Sequence, residues 1–268
     1  MLRQQKHSGA VVVFCLALAL CFMMVFWIFV FPSTLRASPT NAYGQLLQQT
    51  MSLSAFRPSL LTKYKMHADV QYLHILPAGL WSICIPLQLT PALRASFPVL
   101  HKLVGWLVVA SSILIFLSVF LIHHRKVAYI DNDFAAEHAA FISHASSSPS
   151  LHNTTLSLLL RLVPAFTALS ALWFMLSLAQ ALRCIMRRDV HSHKMWMMRH
   201  VGSGLGVAAQ RCYFLLSAAA AGSGGMTATA QMLRFTEGIY VGFALSVAAA
   251  EVAVRCVQQK ARGGEKDA

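Results

Sequence analysis

Apolar and polar positions alternate along this chain in long blocks. Six apolar blocks are long enough to cross a bilayer as helices, at about 10–31, 70–89, 103–122, 156–182, 200–222 and 235–257, because a hydrocarbon core of ~30 Å needs about 20 helical residues. The pattern predicts an all-α fold, a polytopic transmembrane helical bundle of six spans. It forms a single domain over 1–268 and ends in a short cytoplasmic tail at 258–268. No internal repeat and no soluble domain interrupts it.

The first block follows Arg3 and Lys6 in the manner of a signal peptide. Its apolar run, Ala10 to Phe31, exceeds the roughly 7–15 residues of a signal core and so reads as a retained helix. Small residues at 34–38 leave cleavage open as the alternative. The polar 33–69 segment, with Gln45, Gln48 and Gln49 beside Leu46 and Leu47, predicts a helix lying partly on the membrane surface. The 123–155 connection opens with His123-His124-Arg125-Lys126. Asp133 then stands as a helix cap before Phe134, His138, Phe141 and Ala145 on one face, and Ser146–Ser148 with Pro149 ends that helix.

Composition supports the blocks: 57% of residues are hydrophobic and only 12% charged, about half the charged fraction of a soluble domain. A net charge of +13 would suit nucleic acid, but Lys and Arg cluster at the block ends, where they set topology. No compact basic domain exists outside the spans, so nucleic acid is excluded as a partner and the lipid bilayer is the partner implied. With the N-terminus inside, and Arg255 counted with the C-terminal tail, inner segments hold 13 basic residues against 7 outside. Both termini are therefore expected in the cytoplasm. Asn153-Thr154-Thr155 is a glycosylation sequon on the expected outer side, close against the fourth span. Cys15, Cys21, Cys84, Cys184, Cys212 and Cys256 form no C-x-x-C pair and read as small apolar side chains.

Ionisable groups in or at the lips of spans are the functional candidates, because hydrocarbon makes them costly. His74 lies a turn inside the outer end of the second span. His101 opens the third, and His191, His193 and His200 flank the start of the fifth. Arg211 falls about 16 Å into that fifth span, near mid-membrane. The histidines sort into an inner layer with His101 and His193 and an outer one with His74 and His123 or His124. Two imidazoles facing across a bundle suit axial ligation of haem b, with Arg211 a neighbour for its propionates and no other metal implied. The bland alternative makes the lip histidines interfacial hydrogen-bonding groups and Arg211 a structural hub. Gly202, Gly204, Gly206 and the Gly238/Gly242 pair read as faces for close helix packing. Pro77 and Pro86 each free a carbonyl in the second span, which also carries Gln88. Motifs of hydrolases and phosphate-binding loops are missing. No enzyme class is indicated.

His74-Ile75, Pro86-Leu87-Gln88, Arg94, Pro98, His101-Lys102 and Gly105 are followed by Trp173, Asp189, His193-Lys194-Met195-Trp196-Met197, Arg199 and Arg211. This string resembles a bacterial and eukaryotic family of predicted membrane proteins, catalogued as domain of unknown function 2306. The resemblance covers roughly 70–215, and H-x-x-W-M-x-R is its most specific part. Lys102 departs from the arginine usual in the family. The resemblance implies a multi-helix membrane core and raises His74, Gln88, His101, His193, Trp196, Arg199 and Arg211 above the other polar residues.

Three functions fit these observations: a haem-binding electron-transfer protein with a redox partner or a second copy, a transporter of small molecules or ions using a broken second helix, and a non-catalytic assembly factor. A polar cluster of Gln88, Arg94, Asp189, Trp196 and Arg199 is expected at the cytoplasmic lip. There Asp189 should pair with Arg94, Arg199 or His193, and Trp196 should lie at head-group level.

Overall fold

The computed structural model describes residues 2–30, 64, 67–129, 134–147, 150–222 and 226–264. Most of the expected surface helix at 33–69, the small residues at 34–38, the Asp133 cap, the Ser148-Pro149 stop and the end of the tail lie outside the described residues. Among the described residues the fold is all-helical, with no strand. In chain order the helices are α1 (Leu2–Val30), α2 (Ala68–Leu89), α3 (Pro91–Ser96), α4 (Pro98–His124), α5 (Ala135–Ser147), α6 (Leu151–Met186), α7 (Val190–Ala220) and α8 (Ala228–Gly264). Four stretches are long and apolar enough to cross a membrane: α2, α4, Asn153–Met186 of α6 and Ala228–Gln259 of α8. In α1 the apolar stretch Phe14–Ile28 is shorter.

Local chemistry sets the helix ends. Proline opens α3 and α4, where a missing N–H costs nothing. Ser150 caps α6 by accepting the Asn153 N–H, and Asp189 caps α7 by accepting the Ser192 N–H at 2.9 Å. The turn between α6 and α7 is closed by Arg188 at φ 61°, a left-handed residue just past the helix end. Before Pro77, α2 widens into a π-helical turn over Gln71–Ile75, in which the Leu76 N–H donates to the Gln71 carbonyl. The wide turn takes up the missing proline N–H, and α2 continues without a break. The expected broken second helix is therefore corrected to a continuous one with a bulge.

α7 is the centre of the bundle. It buries residues from Val201 to Phe214 on several sides, including Gly202, Gly206 and Gln210. Its seam with α8 is backbone-close: a Cβ built on Gly242 would lie 2.5 Å from the Gln210 nitrogen and 2.8 Å from the Gly206 carbonyl oxygen. Leu20 and Cys21 of α1 are buried in the same core as Trp81, Cys84 and Ile85 of α2. α2 and α4 run antiparallel. Gln88 donates to the His101 carbonyl at one end (2.6 Å), and His74 meets Ser118 toward the other. The first end, with the 187–189 and 90–97 turns, carries Arg94, Lys102, Arg183, Arg187 and Arg188, and is called the basic end.

Candidate functional site

His200 occupies the middle of the bundle. It hydrogen-bonds Ser112, the fifteenth of 27 residues in α4, and Trp81, likewise mid-helix in α2. Its side chain is fully buried. The partners dictate its protonation. The Phe174 carbonyl only accepts, so Nδ1 carries a proton and donates to it at 3.0 Å. The indole Nε1–H of Trp81 only donates, so Nε2 is an acceptor, at 3.4 Å. The Ser112 hydroxyl lies 2.7 Å from the Val108 carbonyl and 3.0 Å from the same Nε2. His200 is thus a neutral imidazole with both nitrogens engaged, tying α7 to α2, α4 and α6. Phe174 packs on its ring at 4.2 Å between centroids.

This placement corrects the expected depths. The helix expected to begin at 200 begins ten residues earlier, at Val190, because Asp189 caps it there and its first turns carry His191, Ser192, His193 and Lys194. His200 is therefore the mid-bundle residue rather than a lip residue. Arg211 lies eleven residues further along α7, about 16 Å beyond His200 in the direction away from the basic end. Its guanidinium sits over the rings of Phe235 at 4.8 Å and Trp27 at 4.9 Å.

Between the His200 level and the end away from the basic loops, α2, α4, α6, α7 and α8 line a half-open cavity of about 320 Å³. Trp81, Phe174 and Gly204 line its deep end. The walls are mainly apolar, from Ile115 and Phe116 on α4 to Ile239 and Phe243 on α8. His74, His123, Tyr129 and Arg211 bring polar groups to its far end. His74 projects from the π-helical turn. Because the Ser118 hydroxyl donates to the Ile115 carbonyl at 2.6 Å, its oxygen accepts the His74 Nδ1–H at 2.8 Å, leaving Nε2 as the acceptor nitrogen. Tyr129 donates in the same way to Thr236 at 2.6 Å, and burial pushes its phenol pKa up, keeping it protonated. Beside the mouth, Asp69 pairs with Arg125 at 2.8 Å. A volume near 320 Å³ stands at the lower end of small-molecule pockets.

The basic end gathers only part of the expected cluster. His101 lies within electrostatic reach of both His193 and Arg94, and its Nδ1 is buried with no hydrogen-bond partner among the described residues. The His193 Nδ1–H donates to the Ala181 carbonyl at 2.9 Å, so its Nε2 is the ligand-competent nitrogen. The expected Asp189 pairing is corrected: Asp189 is exposed, and hydrogen bonds from Ser192 hold its carboxyl below the usual range. Arg199 instead grips Glu251 of α8 with two bonds, at 2.6 and 3.0 Å. Trp196 stacks under the Arg199 guanidinium at 4.8 Å and packs on Trp173. Asn153 stands in the first turn of α6.

Sequence reasoning missed Trp81, Ser112 and Phe174, and did not pair Glu251, one of the few acids near the apolar blocks, with Arg199. Glu251 carried the one available signal, as a lone carboxylate in an apolar run that needs a cation. Among the described residues no cluster of three or more His, Cys, Asp or Glu side chains could hold a metal ion. Compared with protein families, curated proteins and solved structures, the chain finds no match in any of the three.

Proposed function

We propose that this chain is a six-span membrane protein that binds a small, largely apolar molecule inside its bundle. The spans are α1, α2, α4, α6, α7 and α8, with the basic end and both termini in the cytoplasm. The observation that carries the reading is the 320 Å³ cavity, apolar in its walls and polar at one end. Membership of the 2306 family belongs to the same proposal and rests on the H-x-x-W-M-x-R string at 193–199. Binding is favoured over transport because α2 runs unbroken past Pro77 and the walls facing it are apolar. The burial of Leu20 and Cys21 supports α1 as a retained helix.

Native mass spectrometry of the detergent-purified protein tests this. A small molecule should remain bound and should be lost when Ala78→Phe or Ser170→Phe fills the cavity, while both variants stay monodisperse. Identical bound species in wild type and filled variants would sink the proposal.

A second reading, a haem b electron-transfer protein, is kept alive by one observation. His193 has its Nδ1 fixed by a backbone carbonyl, the arrangement that orients a ligating imidazole, and His101 is close by. Haem would supply one-electron chemistry, and this chain would contribute the two Nε2 atoms. An absorption spectrum after expression with adequate haem decides it: a Soret band lost in His193→Ala supports it, and no Soret band removes it.

A further inference from the structure

Given a membrane bundle, and independently of its cavity, we propose that the basic end holds the phosphate of an anionic phospholipid at Arg94, His101 and Lys102, with an acyl chain along Trp106 and Ile113 of α4. The charge there is unspent. Arg94 and Lys102 are exposed and make no ion pair among the described residues. Of the carboxylates that could neutralise them, Asp189 is spent on the first turn of α7, and Glu251 is held by two bonds from Arg199. Glu265 and Asp267 belong to the segment 260–268, in which Lys260, Arg262 and Lys266 outnumber them. The other acids among the described residues, Asp69, Glu137 and Glu237, stand toward the opposite end. His101 adds a donor to the two cations, since Arg94 lies within electrostatic reach of its ring. A proton on its buried Nδ1 would find no acceptor, whereas Nε2 is open, so Nε2–H is the group presented outward. α4 also starts after Phe97 with no side-chain cap, and its first N–H groups add partial positive charge at the same place.

The surface below the charge is apolar and uncovered. Lys102, Trp106 and Ile113 follow one another at helical spacing on one face of α4, and both apolar side chains are exposed. From Lys102 to Ile113 this ridge runs about 16 Å, close to half of a ~30 Å hydrocarbon core and so to the depth of one leaflet. Trp106 stands about 6 Å below Lys102, at the interfacial level that indole prefers. A soluble anion would use the three polar groups and leave the ridge bare. A phospholipid uses both, its phosphate above and its chain beneath.

Native mass spectrometry of the full-length protein in detergent, with dioleoyl phosphatidate and dioleoyl phosphatidylcholine added together, tests this. The two lipids share their chains and differ in whether the phosphate is bare. Phosphatidate should bind wild type at least about fivefold more tightly. Arg94→Gln and Lys102→Gln should each weaken phosphatidate about fivefold, the worth of one basic residue beside an anionic surface, and leave phosphatidylcholine unchanged. Both side chains are exposed, so both variants should stay monodisperse. His101→Gln, which keeps an N–H donor, should retain more phosphatidate than His101→Leu; equal loss in the two would remove His101 from the site. Arg161→Gln takes the same charge from α6 toward the opposite end and should change nothing. Equal binding of the two lipids to wild type overturns the proposal. A loss in Arg161→Gln as large as in Arg94→Gln and Lys102→Gln reduces the effect to net charge and overturns the site. sn-Glycerol 3-phosphate, which lacks acyl chains, should bind far more weakly, and an affinity equal to that of phosphatidate overturns the lipid as occupant.

Discussion

Replacing His200 with leucine separates the geometric from the hydrogen-bonding role of the mid-bundle contact. Leucine fills much of the space, and most of the partners left behind have other bonds. The Phe174 carbonyl keeps the Ser177 hydroxyl at 2.8 Å, and the Ser112 hydroxyl keeps the Val108 carbonyl at 2.7 Å. Only the Trp81 Nε1–H is orphaned. A buried unmet donor costs about 1–3 kcal/mol, although hydrogen bonds within membrane bundles average about 0.6 kcal/mol. The 3.4 Å length of the Trp81 bond argues for the lower part of that range. Loss of the flat contact with Phe174 adds roughly 0.5–1.5 kcal/mol. The expected total is about 2 kcal/mol. Trp81→Phe removes the orphan, so in a double-mutant cycle the pair should couple by about 0.5–1 kcal/mol, measured by reversible unfolding in mixed micelles. A neutral His200→Leu, or strict additivity with Trp81→Phe, would show that His200 does not organise the bundle as described.

Other perturbations probe other contacts. Gly242→Ala should push α7 and α8 apart, because its Cβ meets backbone at 2.5 Å; a loss of about 1–3 kcal/mol or more in the same unfolding assay is expected. Gly105→Ala, whose nearest neighbour is the Gln88 side chain at 3.8 Å, should be close to neutral. Arg199→Glu should destabilise by roughly 1.5–3 kcal/mol, and the added Glu251→Arg should restore much of it, since the pair is bidentate. Absence of rescue would place the value of Arg199 in its stacking on Trp196. Cysteines introduced at the exposed Arg188 and Ser147 should label from opposite sides of the membrane, with residue 188 on the cytoplasmic side.

Burial inside the bundle explains which elements the sequence could show. α2, α4, α6 and α8 each present a long apolar surface to lipid, and hydropathy detects that surface directly. α7 is largely covered by its neighbours, so it carries Gly202, Ser203 and Gln210 without exposing them to hydrocarbon. A helix shielded in this way has no need of an apolar exterior, and its start cannot be placed by the first apolar residue. The ten positions before His200, with His191, Ser192, His193, Lys194 and Arg199 among them, look like a loop by composition. Asp189, set three residues before Ser192, is the signal that they are helical.

The candidate site was half legible for the same reason. Histidine and arginine stand out in an apolar sequence, and His74, His101, His193 and Arg211 were all recognisable as costly residues that need an explanation. Their partners are backbone carbonyls and hydroxyls, which every helix possesses and no pattern marks. The Phe174 and Ala181 carbonyls become specific only when antiparallel helices set 174 against 200 and 181 against 193. One ten-residue extension of α7 then decides everything downstream. It carries His200 from the lip to the centre and Arg211 from the centre toward the far end. There its guanidinium lies over the rings of Phe235 and Trp27 at the far end of the cavity, where the sequence alone would have put it at mid-membrane.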